Sequence, residues 1–349
     1  MSNSAIQSLQ QQRLLLQLEY QTEKEAFRKQ TEAIGLGRKV KRGDAWYPVG
    51  VGQAHYNSLN QMTVDVTRTQ DTDVEHNFEY GKPVMFFSFA ESGGKKGDTA
   101  IRYFSFTGTV SFVDGDRMVV VVPEGHALDL QATDKPIGVQ LSFDETSYRV
   151  MFDALDRVVN AKGNRLAHMR DLFYSKAPVE RFSFDPMSFP WLNKAQEHAV
   201  NEVLWAKDVA IVHGPPGTGK TTTLVEAINE TLMRESQVLV CAQSNMAVDW
   251  ICERLVDRGI NVLRIGNPTR VNDKMLGFTY ERQFEAHPDY PQLWAIRKAI
   301  RELRRKKKGR DDNFHQKLER LKSRATELEI RINASLFGEA RVIASTLVG

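Results

Sequence analysis

Helical periodicity opens the chain. Apolar side chains recur at helical spacing from Ile6 to Phe27, and this pattern predicts one helix that ends near Glu32. At about 1.5 Å per residue, about 28 residues form a rod of roughly 40 Å. The pattern therefore favours a stalk over residues 1–35, with a coiled-coil dimerisation helix as the alternative. A second helical pattern over residues 146–159 predicts a returning helix, which a connector follows as far as residue 190.

Between these two helices the apolar pattern changes to short β runs separated by Gly, Asp and Pro. Six strands are predicted, at residues 45–55, 61–68, 83–89, 101–112, 117–122 and 138–143. The residues Asp114 and Gly115 mark a hairpin turn between the fourth and fifth strands. No helix is expected among them. Residues 36–144 therefore favour a small antiparallel β-barrel of the oligonucleotide-binding or SH3-like kind.

From residue 191 onward, short apolar runs alternate with helical segments. Runs at residues 209–212, 238–242, 261–265 and 340–345 predict strands, and the pattern between them predicts helices. This alternation favours an α/β fold with a mostly parallel sheet, which binds ligands at the carboxyl ends of its strands. Residues 273–336 depart from the pattern and predict an inserted helical hairpin. We therefore assign residues 191–272 and 337–349 to one nucleotide-binding α/β domain.

A phosphate-binding loop joins the first of these strands to the next helix. Its spacing is G-x-x-x-x-G-K-T, in residues Gly214, Pro215, Pro216, Gly217, Thr218, Gly219, Lys220 and Thr221. The glycines let backbone N–H groups point at phosphate oxygens, and the helix adds its positive end. We expect Lys220 to reach the β- and γ-phosphates of ATP, Thr221 to ligate Mg²⁺, and Thr222 to lie against the nucleotide. The alternative is a chance glycine-rich turn.

Composition and charge narrow the partner class. The 349 residues carry 47 Lys and Arg, 44 Asp and Glu, and two cysteines. This is ordinary globular composition with too few cysteines for a disulfide framework or a four-cysteine zinc site. Residues 297–324 alone hold thirteen basic and four acidic residues, which indicates a polyanionic partner. The basic tip consists of Arg304, Arg305, Lys306, Lys307 and Lys308, and a solvated helix tip is the alternative interpretation. The polar N-terminus and the lack of a long apolar run predict a cytoplasmic protein without a membrane segment.

These motifs resemble, in type and order, the superfamily 1B helicases of the nonsense-mediated-decay and immunoglobulin-mu-binding-protein-2 kind. Residues 192–196 are similar to the family's adenine-reading Q motif, with Gln196 as the base reader, and residues 213–221 are similar to its Walker A loop. Residues 244–249 resemble motif Ia, and residues 343–349 resemble motif Ic. The resemblance implies that Ser244, Asn245 and Thr346 contact the nucleic-acid backbone.

The resemblance also implies a RecA-like ATP-binding domain that carries a stalk, a barrel and a helical insertion. The activity it implies is ATP-dependent movement, 5′ to 3′, on single-stranded DNA or RNA, by a protein we expect to be a monomer. The Walker B acidic pair and the second RecA-like domain of the family have no counterpart within residues 1–349. We therefore expect these residues to be the N-terminal half of a helicase, without turnover of their own.

Two other interpretations remain. The chain can be an ATP-responsive nucleic-acid-binding module that does not hydrolyse ATP. A small-molecule kinase sharing only the phosphate loop is disfavoured, because it needs neither a Q motif nor a basic helical hairpin.

The pair Asp144-Glu145 is a displaced Walker B candidate, but its position at the start of a predicted helix favours a helix cap.

Overall fold

The computed structural model describes residues 3–91, 99–133, 135–266, 273–305 and 312–347. The chain divides into two compact units. One unit is Leu15–Arg149, and the other combines Met1–Leu14 with Val150–Gly349. Each unit has its own hydrophobic core.

The unit Leu15–Arg149 is built on six strands. In chain order its elements are α1 (Asn3–Ala33, which begins in the other unit), α2 (Leu36–Lys41), β1 (Ala45–Tyr56), β2 (Met62–Arg68), β3 (Pro83–Glu91), β4 (Thr99–Asp114), β5 (Arg117–Val121), α3 (His126–Gln131) and β6 (Ile137–Leu141). The strands pair antiparallel and close into a barrel in the order β1-β2-β5-β4-β3-β6. The predicted barrel is confirmed, and each predicted strand overlaps an observed one.

The alternation of buried and more exposed side chains along each strand explains why these residues form a barrel. On β2, Val64 and Val66 are fully buried, whereas the intervening Asp65 is half-buried and pairs with Arg117. Side chains that alternate between the two faces of a strand place every second residue inside a closed sheet. The barrel is filled by aromatic and β-branched residues, among them Trp46 and Phe86.

The expectation that no helix interrupts the barrel region is wrong. α3 lies between β5 and β6, and its Ala127 and Leu130 are buried in the barrel core. α2 lies just before β1. Both helices have six residues, which is less than two turns, so no 3.6-residue periodicity can build up in the sequence.

The second unit is an α/β structure with a helical insertion. Its elements are α4 (Glu145–Asn160, which begins in the barrel unit), α5 (Arg165–Phe173), α6 (Lys194–Trp205), α7 (Lys220–Thr231), β7 (Val238–Ala242), α8 (Asn245–Asp257), β8 (Val262–Arg264), α9 (Asp273–Leu276), α10 (Tyr280–Ala286), α11 (Tyr290–Arg305), α12 (Asp312–Glu339) and β9 (Val342–Thr346). α5 occupies part of the segment that was predicted to be an irregular connector. The sequence did not predict this helix, because its nine residues carry only a weak apolar stripe.

Three strands of this unit form a parallel sheet in which β9 lies between β7 and β8. Apolar residues of α7 and α8, including Val225 and Val248, pack with Val240 and Val342 of the sheet in one core. Cys252 of α8 is buried in this core, and burial raises the pKa of its thiol to about 12. The sheet therefore fixes the starts of both helices relative to the carboxyl ends of the strands.

The predicted strand at residues 209–212 is not observed. These residues take no strand conformation, and the side chain of Ile211 is 83% exposed. An apolar run becomes a strand only where a neighbouring strand offers hydrogen-bond partners. Both edges of β9 are already occupied, by β7 and β8, and residues 209–212 pair with none of the three described strands.

Two amphipathic helices of the insertion, α11 and α12, run beside each other. Arg297 of α11 is buried, and its Nη2 lies 2.6 Å from Glu329 Oε1 of α12. Tyr280 of α10 donates to Asn333 Oδ1 of α12 at 2.7 Å. The sequence pattern also predicts the turn between the two long helices at residues 309–313; residues 309–311 lie outside the described residues, whereas residues 312 and 313 begin α12. In the part of the chain that the structure describes, no helix has the length and apolar character needed to span a membrane.

Candidate nucleotide-binding site

Gln196 connects the start of α6 to the phosphate-binding loop. Asn193 caps α6: its Oδ1 accepts from Gln196 N at 2.9 Å, and Gln196 Oε1 accepts from Asn193 N at 3.2 Å. This reciprocal capping box satisfies two backbone donors at the helix start and orients the glutamine side chain. Gln196 Nε2 then donates to Thr218 O at 3.3 Å. The predicted base reader is thus held against the loop.

Two glycines give the loop its shape. Gly217 and Gly219 have φ values of +80° and +79°, in the left-handed region that favours glycine. At Gly219 a side chain is excluded twice, because a Cβ there would also lie 2.4 Å from Gln196 Nε2. Gly219 is the N-cap of α7, and no side chain caps that helix end. The backbone N–H groups of its first turn are therefore available to an anion.

The polar side chains of the loop are held by the loop itself. Lys220 Nζ donates to Gly214 O at 2.6 Å and to Pro215 O at 2.7 Å. Thr218 Oγ1 donates to Pro215 O at 2.8 Å. Thr221 is half-buried and Thr222 is exposed at the start of α7. The structure therefore brings together all the residues predicted to contact ATP.

The features that a nucleotide requires are present in this loop. Left-handed glycines, an uncapped helix start and a lysine ammonium group converge on one loop. Fixed donors and one flexible cation suit a polyphosphate, and the threonine hydroxyl suits a hard cation such as Mg²⁺. The residues present therefore fit ATP and its metal ion.

Glu226 is a buried acidic residue of α7, the helix that follows the loop. Its buried carboxylate accepts from Arg258 Nη2 of α8 at 2.7 Å and from Trp191 Nε1 at 2.9 Å. Burial acts to raise the pKa of Glu226, but the hydrogen bonds from Arg258 and Trp191 outweigh it and hold the pKa below 4.5. The Trp191 side chain remains 65% exposed. Sequence reasoning missed Glu226 and Arg258, and the only available signal was an acidic residue on the apolar face of α7.

Residues predicted to contact nucleic acid meet at the carboxyl edge of the sheet. Ala242 and Thr346 are paired at the ends of β7 and β9. Ser244 follows β7 and caps α8, with its Oγ accepting from Ala247 N at 3.3 Å. Asn245 is the first residue of α8, and its Oδ1 accepts from Arg264 Nη2 at 2.8 Å. Parallel pairing therefore places Ser244, Asn245 and Thr346 along one edge.

Comparison with known proteins supports the family resemblance. Residues 191–349 match the AAA domain family. The DNA-binding protein SMUBP-2 of Mus musculus is 28% identical over 363 aligned residues, which cover 100% of this chain and 36% of that protein. A regulator of nonsense transcripts 1 homolog of Neurospora crassa is 43% identical over 88 residues, 25% of this chain and 8% of that protein. The domain match and these relatives support a superfamily 1B helicase, the family that the sequence motifs resemble.

A further relative is named as a helicase. DNA polymerase alpha-associated DNA helicase A of Schizosaccharomyces pombe is 31% identical over 163 residues, 45% of this chain and 25% of that protein. The chain spans only part of its relatives: between about a quarter and about a third of the length of each of the most similar ones. The AAA domain implies the α/β fold of a P-loop nucleotide hydrolase.

The basic tip is described only in part. Arg304 and Arg305 end α11 and are both exposed. Lys306, Lys307 and Lys308 lie outside the described residues.

Sequence reasoning also missed Arg264 and Asp249, which form an ion pair behind Asn245. Asp249 is part of the quoted motif, but nothing in the sequence indicates that Arg264 is its partner.

Proposed function

We propose that this chain is the ATP-binding part of a helicase or translocase that moves 5′ to 3′ on single-stranded nucleic acid. The observation that carries the proposal is the contact between Gln196 and the phosphate loop at Thr218 O. It joins a residue suited to reading adenine to a loop suited to holding phosphates. A loop that binds any phosphate needs no such glutamine.

We assign the roles in ATP binding residue by residue. The backbone N–H groups of the loop, which Pro215 and Pro216 lack, would hold the phosphates, and Lys220 would exchange its two carbonyl acceptors for phosphate oxygens. Thr221 supplies the hydroxyl for Mg²⁺, and Gln196 supplies hydrogen bonds to the base. ATP with Mg²⁺ contributes the free energy of phosphoryl transfer to water when it is bound. The glycine conformations keep the loop amides oriented before ATP arrives, which reduces the entropy lost on binding.

Ser244, Asn245 and Thr346 form the strand-binding edge in this proposal. Backbone contacts of this kind hold phosphates and carry little sequence information. The exposed Arg304 and Arg305 add positive charge, together with the lysines that follow them in the sequence. We further propose that the protein acts as a monomer, and that residues 191–272 and 337–349 belong to a RecA-like domain carrying the barrel and the helical hairpin.

The test is ATP hydrolysis and ATP binding by the purified chain, with and without single-stranded DNA or RNA. We expect Lys220→Ala to weaken ATP binding at least about tenfold, because one charge-assisted contact is worth roughly 1.5–3 kcal/mol. Lys207→Ala is the matched control, since Lys207 is an exposed lysine of the same unit paired with Glu180 outside the loop. Unchanged ATP binding in the Lys220→Ala protein would contradict the assignment.

One observation favours a second function, an ATP-responsive nucleic-acid-binding module without turnover. The pair Asp144-Glu145, the displaced Walker B candidate, makes structural contacts within the barrel unit. Asp144 Oδ1 accepts from Thr146 N at 3.1 Å and Ser147 N at 3.2 Å, and Glu145 pairs with Lys24. Asp144 is therefore a helix cap, as expected. ATP-dependent strand affinity without hydrolysis in the same assay would select this function.

A further inference from the structure

Arg264 is a buried cation directly behind the strand-binding edge. It ends β8, is 1% exposed, and its Nε donates to Asp249 Oδ1 at 2.8 Å. Its Nη2 donates to Asn245 Oδ1 at 2.8 Å, and its Nη1 donates to Ile265 O. Asn245 and Asp249 are one helical turn apart on α8, so one guanidinium group spans the first turn of that helix.

The ion pair alone does not require Asn245. A buried guanidinium group needs a carboxylate to offset the loss of hydration, and Asp249 supplies it. The hydrogen bond to Asn245 uses another of the five N–H donors on a neutral amide. What that bond changes is therefore the orientation of Asn245.

The guanidinium group decides which end of the amide faces inward. Arginine offers only donors, so the oxygen of the Asn245 amide must face Arg264 and its NH₂ group must turn away. An NH₂ group is a donor, which suits the anionic oxygens of a phosphodiester. With the amide reversed, the outward oxygen would repel the same phosphate.

We propose that Arg264 is a positioning residue for strand binding, which holds the Asn245 amide with its NH₂ group toward the nucleic-acid backbone. The inference rests on the proposed function, in which Asn245 contacts a phosphate. Arg264 itself does not touch the strand. Its partner Asp249 holds the guanidinium group in place in the interior through an ion pair of 2.8 Å.

The first test compares Asn245→Ala with Asn245→Asp, using a fluorescein-labelled oligothymidylate and anisotropy. Removing the amide should weaken strand binding about tenfold or more, the value of one hydrogen bond to a charged group. The aspartate should pair with Arg264 and turn an anionic oxygen toward the phosphate, so it should bind the strand more weakly than the alanine variant. Equal or tighter binding by Asn245→Asp than by Asn245→Ala would overturn the inference.

The second test removes Arg264 while keeping the fold. Arg264→Met alone leaves Asp249 buried without its partner, so we pair it with Asp249→Met, since replacing a whole buried ion pair by apolar residues is often tolerated. The double variant should weaken strand binding as much as Asn245→Ala, and adding Asn245→Ala to it should cost little more. Additive losses would overturn the inference, because independent sites add.

A control separates positioning from general loss of structure. Arg170→Met with Asp171→Met removes an ion pair of α5 that also involves a buried arginine, and should leave oligothymidylate binding unchanged because α5 belongs neither to the strand-binding edge nor to the basic segment of residues 297–324. Binding of a fluorescent ATP analogue should stay within about twofold in every variant, which reports an intact neighbouring site. If Asn245→Ala leaves strand binding unchanged, the proposed role of Asn245 fails; if it weakens binding but the Arg264 double variant does not, only the present inference fails.

Discussion

At the scale of single residues, Gly219 combines two requirements that usually occur apart. Its backbone is left-handed, and Gln196 Nε2 occupies the space where a side chain would begin. The first requirement concerns stability and the second concerns the site. Substitution at this one position therefore tests whether the contact between Gln196 and the loop matters for ATP.

We predict that Gly219→Ala weakens binding of a fluorescent ATP analogue by about tenfold or more, in addition to costing about 1–2 kcal/mol of stability. The methyl group must displace Gln196 and distort the loop. Gly259→Ala is the matched control, because Gly259 has φ +76° with nothing within 4 Å of its added Cβ. It should lose similar stability in thermal unfolding and retain ATP affinity. Equal ATP affinity in both variants would contradict the prediction.

At the scale of elements, Glu226 joins α7 to α8 and to the segment before α6. Its carboxylate is buried between Arg258 and Trp191, and their hydrogen bonds outweigh the burial that acts to raise its pKa. Because the net effect lowers the pKa in the folded protein, the pairing adds stability above the ordinary value of 4.5. That contribution is lost as pH falls through the folded pKa.

We predict that Glu226→Gln lowers the free energy of unfolding by about 1–3 kcal/mol near neutral pH. The difference from wild type should shrink as pH falls below 4.5, where Glu226 itself becomes protonated. Urea unfolding followed by tryptophan fluorescence measures both. Glu230→Gln on the same helix, whose carboxylate accepts from the neighbouring Asn229, should be nearly neutral. A difference for Glu226→Gln that does not depend on pH would show that the charge plays no part.

Elements differ in how far the sequence predicts them. The barrel strands are recognisable because alternation repeats over β runs such as Arg117–Val121, bounded by turn residues. Residues 209–212 carry an equally apolar run and form no strand, because pairing depends on a neighbour distant in sequence. Periodicity indicates which side chains prefer burial, whereas hydrogen-bond partners come from the rest of the fold.

At the scale of the whole molecule, the proposed strand contacts are to phosphates. The edge offers hydroxyl and amide groups at Ser244, Asn245 and Thr346, and the sequence adds a basic tip on the insertion. Such contacts do not distinguish bases, and they weaken as salt screens the phosphates.

We therefore predict less than about tenfold difference in affinity between homopolymeric and mixed-sequence single strands, with affinity falling steeply between low and moderate salt. Anisotropy titrations at several salt concentrations measure both properties. Duplex DNA of the same sequence provides the comparison for strand form. A tenfold or greater preference for one sequence would contradict the assignment of the edge as a backbone-binding surface.

The sequence by itself determined the phosphate loop, the barrel strands and the family resemblance, because each depends on spacing between residues close in the chain. Only the tertiary structure decided that Gln196 lies against Gly219, that Glu226 meets Arg258, and that Arg264 holds Asn245. Those contacts join residues 19 to 32 positions apart on different elements. No local pattern encodes such pairs, because they form only when the sheet and its helices pack.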